Sequence, residues 1–232
     1  MPFLLADSIG KSFRGRRILS AATLRASAGD IRVVFGRNGI GKSTLVKIAA
    51  GVIAADTRIV RINNETVLNP SLASLARAGV FYLPDHDLLS RDMTLSRQLQ
   101  LFERRFGQRT VAEAAVMASV GRLLDRKPQT LSGGELRRAE LAAALTRKPS
   151  CLLADEPYRG IAPVDHDAIS DIFRTMAADG CAVVLTGHEV PSLMDLATHV
   201  TWCTAGTTYE LGTPAAARNH EAFSAGYLNR RE

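Results

Sequence analysis

Long hydrophobic runs are missing from this 232-residue chain. No window approaches the ~18 consecutive apolar residues of a membrane-crossing helix. The most apolar stretches, such as CAVVLTG at 181–187, have the length of strands. Work at a membrane would therefore need another chain to supply the span. Cysteine is scarce. Cys151, Cys181 and Cys203 lie far apart with no CxxC pair, which argues for reduced packing residues and against a disulfide scaffold or a zinc site. No Ser/Gly-rich or Pro-rich stretch marks a linker, and no repeat with a period of about 20–50 residues points to a solenoid or propeller. The opening MPFLLADSIGKSF lacks a basic start followed by a long apolar run, so it does not read as a signal peptide. Lysine is scarce too, with five residues against a Lys plus Arg total of 29. The net charge is +6 and the pI about 9.6. No basic run is interleaved with aromatics, so the excess reads as a solvated, Arg-rich surface and a nucleic-acid partner is not expected.

What is present fits one large α/β domain with ample core, at 46% hydrophobic and 22% charged residues. Residues 3–9 and 17–26 read as strands joined by a turn, and IRVVF at 31–35 as a short apolar strand. A helical pattern runs from Lys42 to Ala50 and stops at Gly51. RIVRI at 58–62 and VFYL at 80–83 are strand-like. From about Leu88 to Arg147 the chain is rich in Leu, Ala and Arg and reads as several helices. Alternation then resumes. Strands are expected at 151–155, 182–186, 199–203 and 207–211, and helices at about 166–178 and 191–197. This order predicts a mostly parallel sheet interrupted by one helical insertion.

The segment Gly36-Arg37-Asn38-Gly39-Ile40-Gly41-Lys42-Ser43-Thr44 satisfies G-x-x-x-x-G-K-[ST] and lies between an expected strand and an expected helix. Glycines let the backbone wrap close to phosphate oxygens, and the helix N-terminus faces the anion. Lys42 supplies charge for β- and γ-phosphates, and the Ser43 hydroxyl can ligate Mg²⁺. CLLADE at 151–156 is an apolar strand ending in two acids. Asp155 is placed to hold Mg²⁺ through water. Glu156, one residue on, is placed to polarise an attacking water as a general base.

Leu131-Ser132-Gly133-Gly134-Glu135 opens a further helical run. Ser132 and Glu135 have capping-box spacing. The two glycines cost helix stability and expose backbone N–H groups to an anion. LSGGE, lying between the phosphate loop and Asp155-Glu156-Pro157, resembles the signature of ABC (ATP-binding cassette) ATPases, and the resemblance covers essentially the whole chain. It implies ATP and Mg²⁺ as cofactors and a second ABC subunit, expected to be an identical copy, whose ATP γ-phosphate would be contacted by Ser132, Gly133 and Gly134. It implies His188, in LTGHEV, as the switch histidine near the γ-phosphate, and Phe13, in KSFRGRRIL, as the aromatic stacked on adenine. The fold expected is a P-loop NTPase core (1–85 and 149–232) with an N-terminal antiparallel β subdomain and a helical insertion subdomain (86–148).

Two positions depart from the family pattern. LPD places Asp85 where a glutamine is usual, and YRGIAP places Ala162 where an aspartate is usual. A carboxylate at 85 would bind Mg²⁺ harder than an amide and add charge near the γ-phosphate, so slow hydrolysis is expected. The C-terminal GTPAAARNHEAFSAGYLN and the phrase DEPYRGIAP are similar to cassettes of branched-chain amino-acid import and lipopolysaccharide export. The role implied is an ATP-hydrolysing subunit that drives a separate transmembrane subunit from the cytoplasmic face of the membrane. The alternative is a non-transport cassette that recruits partners in its ATP state. Tandem translation-type cassettes are disfavoured by the single phosphate loop, and DNA-repair cassettes by the lack of a long coiled coil.

Overall fold

The computed structural model describes residues 2–228. In chain order the elements are β1 (Leu4–Phe13), β2 (Arg16–Ala26), β3 (Ile31–Phe35), α1 (Lys42–Ala49), β4 (Thr57–Ile62), β5 (Glu65–Thr66), α2 (Leu72–Arg77) and β6 (Val80–Leu83). Then follow α3 (Leu95–Phe106), α4 (Val111–Met117), α5 (Gly133–Arg147), β7 (Cys151–Ala154), α6 (His166–Ala178), β8 (Ala182–Thr186), α7 (Val190–Leu196), β9 (His199–Thr204), β10 (Thr207–Gly212) and α8 (Pro214–Asn219). Among the described residues the strands order as β5-β4-β1-β2-β10-β9-β3-β8-β7-β6.

Strands β9, β3, β8, β7 and β6 are mutually parallel. They carry apolar runs because both faces are covered. Ile31, Val33 and Phe35 face the cluster built with α5 and α6, whereas Val34 faces the cluster built with α1 and β2. Leu152 and Leu153 on β7, and Val183 and Val184 on β8, divide between the two clusters in the same way. Strands β1, β2, β4 and β5 form the antiparallel part. The stretch between β6 and β7 holds α3, α4 and α5, as its Leu- and Ala-rich pattern predicts.

Helix α2 and strand β5 are not among the elements expected from sequence. LASLAR is too short for a helical period to register, and a Ser71–Ser74 capping box starts it. The three cysteines are buried and free, as expected of packing residues. Burial pushes the Cys203 thiol up to about 11 and the Cys181 thiol up to about 12. Arg32 sits in the middle of an otherwise apolar strand because it reaches Thr201 Oγ1 at 2.8 Å and pairs with Glu210.

Candidate functional site

The phosphate loop is fixed where β3 ends and α1 begins. Gly41 caps the helix in the left-handed region at φ 115°. A Cβ there would lie 2.8 Å from Leu19 Cδ2, so both the backbone and the packing require glycine. The Lys42 ammonium folds back over the loop and donates to the carbonyls of Gly36 at 2.6 Å and Arg37 at 3.2 Å. Phe13, Asn38, Gly39, Gly41, Lys42, Ser43, Thr44 and Glu156 line one cavity of about 230 Å³. The Phe13 ring is 44% exposed at the end of β1, with the Lys11 ammonium 5.2 Å from its centroid. The expected adenine platform, phosphate cradle and general base thus share one concavity.

The two acids are organised by a residue that sequence reasoning missed. Asp155 is buried, and its Oδ1 accepts a hydrogen bond from Thr186 Oγ1 at 2.7 Å. The same hydroxyl accepts the Glu156 backbone N–H at 3.0 Å. Glu156 leaves β7 in the left-handed region at φ 46°. That geometry costs a non-glycine residue about 1 kcal/mol, and the Thr186 contact offsets part of it. The turn aims the Glu156 side chain into the phosphate cavity and brings its Oε2 to 3.7 Å from His188 Nδ1. The signal for Thr186 was its place, a polar residue closing a buried apolar strand two residues before His188.

Ser132 caps α5, and its capping box with Glu135 is formed in both directions. The glycines have a packing reason that sequence reasoning did not supply. A Cβ on Gly134 would meet the Asp165 carboxyl, and one on Gly133 would lie 2.9 Å from the Gly160 carbonyl oxygen. The loop after β7 therefore packs directly on the signature helix. None of Ser132, Gly133 and Gly134 lines the phosphate cavity. Gly133 faces a separate cavity of about 390 Å³ with Asp85, Arg137 and Arg159.

Asp85 is not brought to the phosphate cavity. Its carboxylate meets Arg159 Nη1 at 2.9 Å and His86 Nδ1 at 2.9 Å. Burial alone would raise its pKa, but the His86 hydrogen bond and the charges of His86 and Lys47 hold it below the ordinary carboxylate range. Its backbone is clamped as well. Arg137 donates from Nη1 to the Pro84 carbonyl at 2.9 Å and from Nη2 to the Asp85 carbonyl at 2.7 Å. Arg137 also pairs with Glu140 at 2.9 Å, both side chains being almost fully buried. Burial pushes the Glu140 carboxyl up and the Arg137 guanidinium down, while their mutual attraction opposes both shifts. The charge expected of Asp85 near the γ-phosphate is thus compensated locally by Arg159 and His86. Ala162 stands in the loop between Glu156 and α6 with no polar side chain to offer.

The Lys42 contacts set an expected result. If Lys42 meets phosphate as expected from the sequence, Lys42→Ala removes a charge-assisted contact worth roughly 10- to 100-fold in affinity. Titration calorimetry with ATP and Mg²⁺ should show at least that loss, and unchanged affinity would refute the assignment of the loop.

Comparison with known proteins agrees with this geometry. The family described as ABC transporter matches residues 19–159. The lipopolysaccharide export system ATP-binding protein LptB of Haemophilus influenzae is 29% identical over 98% of this chain and 98% of its own length. The zinc import ATP-binding protein ZnuC of Alcanivorax borkumensis is 31% identical over 97% of this chain and 85% of its own. Among solved structures, the ADP conformation of MJ1267, an ATP-binding cassette of an ABC transporter, superposes with a TM-score of 0.87 at 22% identity, covering 99% of this chain and 100% of that one. The dimeric structure of MJ0796, a bacterial ABC transporter cassette, does so with a TM-score of 0.78 at 20% identity, over 90% and 98%. A phosphate loop, an acid pair turned toward it and a glycine-opened signature helix on this shared fold establish that the chain belongs to the ABC transporter family, as an ATP-binding subunit that hydrolyses ATP.

Proposed function

We propose that this chain works as one half of an ATP sandwich and drives a separate membrane subunit. One observation carries the reading. The start of the signature helix lies outside the chain's own phosphate cavity, which fits a second copy presenting Ser132, Gly133 and Gly134 to that cavity. The family resemblance and the dimeric cassette neighbour support that arrangement. Among the described residues no helix is long and apolar enough to cross a membrane. The loop holding Asp85 and the helical segment α3–α5 form the groove proposed to receive that chain at the inner face of the membrane. The export and import ATP-binding proteins among the relatives favour transport over the non-transport alternative.

The donor set fits Mg²⁺. Asp155 Oδ2 lies 3.8 Å from the Lys47 ammonium, beyond hydrogen-bond reach, and a carboxylate oxygen is the hard donor a hydrated Mg²⁺ takes. Burial, the charges of Asp155 and Asp85 and the approach of the Asp155 carboxylate to its hydroxyl keep the proton on Tyr82. Among the described residues no cluster of three His, Cys, Asp or Glu could hold a metal by itself, which suits an ion whose other ligands are phosphate oxygens and water. Ser43 and Asp155 are the residues proposed to hold it. Asp85 joins them only if it releases Arg159 and His86. Bound Mg²⁺ would neutralise charge on the phosphates.

The chain's own groups then divide the work. Backbone N–H groups of residues 39–44 and Lys42 bind the phosphates, and Phe13 carries the base. Glu156 takes the proton of the attacking water, and His188 orients the γ-phosphate side of the site. The test is assembly. With Glu156→Gln, ATP should convert monomer to dimer in light scattering. Adding Ser132→Arg places a guanidinium where the partner's phosphate must sit and should hold the protein monomeric. A double variant that still dimerises with ATP contradicts the sandwich.

A further inference from the structure

The catalytic pair is held together from outside its own strands. The β7–β8 ladder ends at the pair Ala154 and Leu185. Glu156 and His188 lie beyond it, two and three residues further along the chain and past the ends of β7 and β8. Thr186 steadies the Glu156 backbone, and its hydroxyl is engaged by Glu156 and Asp155. The loop's backbone hydrogen bonds are local turns, from Arg159 to Glu156, Ile161 to Tyr158 and Asp165 to Ala162. Ala162 has no side-chain group that could hydrogen-bond across the loop.

A buried histidine spans this gap. His166 opens α6 and is 7% exposed. Its Nε2 lies 3.3 Å from the Ile161 carbonyl oxygen, in the loop after Glu156. Its Nδ1 lies 3.0 Å from Ser192 Oγ, on the first turn of α7 and four residues past His188. A carbonyl only accepts, so Nε2 donates to Ile161, and the Ser192 hydroxyl, which can donate or accept, completes the link at Nδ1. The ring packs on Tyr158 with centroids 4.7 Å apart, and the Tyr158 hydroxyl meets Ser170 Oγ at 2.6 Å. Ser170 in turn donates to the His166 carbonyl at 2.8 Å. One side chain thereby joins the loop carrying Glu156 to the helix whose approach carries His188.

We propose that His166 is a positioning residue for ATP hydrolysis: by tying the Ile161 carbonyl to Ser192 it sets the separation of Glu156 and His188. It touches no reacting group and acts through His188. The inference rests on the roles proposed above for Glu156 and His188. It also accounts for how the loop is supported without a carboxylate at 162.

Steady-state ATPase of the full chain separates positioning from mere structure. His166→Phe keeps a ring on Tyr158 and removes both hydrogen bonds. Misplacing a catalytic group by a fraction of an ångström lowers kcat strongly, so about a tenfold fall is expected, with KM for ATP within about twofold. His166→Gln restores a donor and an acceptor and should recover kcat to within about threefold of the native value. Ser192→Ala leaves the ring in place, and should lower kcat by about threefold through loss of one hydrogen bond even if the His166 variants fold poorly. In a His188→Ala background, neither His166→Phe nor Ser192→Ala should reduce the residual rate further. An unchanged kcat in folded His166→Phe and Ser192→Ala overturns the proposal. So does the same proportional loss with and without His188. If Glu156→Gln and His188→Ala both hydrolyse ATP at the native rate, the catalytic reading itself falls, and the positioning role with it.

Discussion

Glu156→Gln should lower ATP turnover by about 10²- to 10⁴-fold while leaving ATP affinity nearly unchanged, the usual worth of a general base in place. The geometry gives the reason. Glu156 lines the phosphate cavity, its backbone is pinned by Thr186, and its carboxylate stands 3.7 Å from His188 Nδ1. Glutamine keeps the volume and the hydrogen bonds of the backbone but cannot take a proton. Single-turnover hydrolysis with excess enzyme isolates the chemical step, and calorimetry reports binding. A turnover within a few fold of the native rate would show that another group, or water alone, takes the proton. Thr186→Val is the companion variant. It removes the hydroxyl shared by Asp155 and Glu156 and should lower turnover as well, by less than the loss of the carboxylate itself.

The largest effect on stability is expected at Arg137. Removing one member of a buried ion pair leaves the other charged and unpaired, at a cost of about 3–5 kcal/mol. Arg137→Ala strands Glu140, which is almost fully buried, and leaves the Pro84 and Asp85 carbonyls without their donor. Urea unfolding monitored by circular dichroism should show that loss. A cost below about 1 kcal/mol would place Glu140 in water or neutral in the native state. Combining Arg137→Met with Glu140→Leu removes both charges and should recover much of the stability, though the two carbonyls stay unsatisfied. The pair also has a functional position. It fastens the signature helix to the loop of Asp85, so the double variant should fold and yet loosen the link between the nucleotide site and the groove proposed for the membrane subunit.

The residues legible in the sequence were those whose chemistry lies in consecutive positions. Gly36 to Thr44 declares itself because a strand, a glycine-rich turn and a helix N-terminus must follow in that order to wrap a phosphate. Asp155 and Glu156 declare themselves at the end of an apolar strand, and Ser132 with Glu135 at the start of a helix. The parallel strands were legible because strands buried on both faces are apolar throughout. Helix α2 was not, since six residues hold too little of a helical period.

Only the tertiary structure decided how distant positions meet. Asp85 reads in sequence as a metal ligand, but its carboxylate is engaged by Arg159, 74 residues away. Arg137 lies within a helix, yet its guanidinium reaches the Pro84 and Asp85 carbonyls, 53 and 52 residues away. Thr186 reaches Asp155 across 31 residues, and His166 reaches Ser192 across 26. The physical reason is common to all four. A phosphate cradle is made by local backbone conformation, which the residue types of one segment dictate. The partner of a buried polar side chain is set by which elements the sheet order and helix packing bring alongside, and no single segment carries that information.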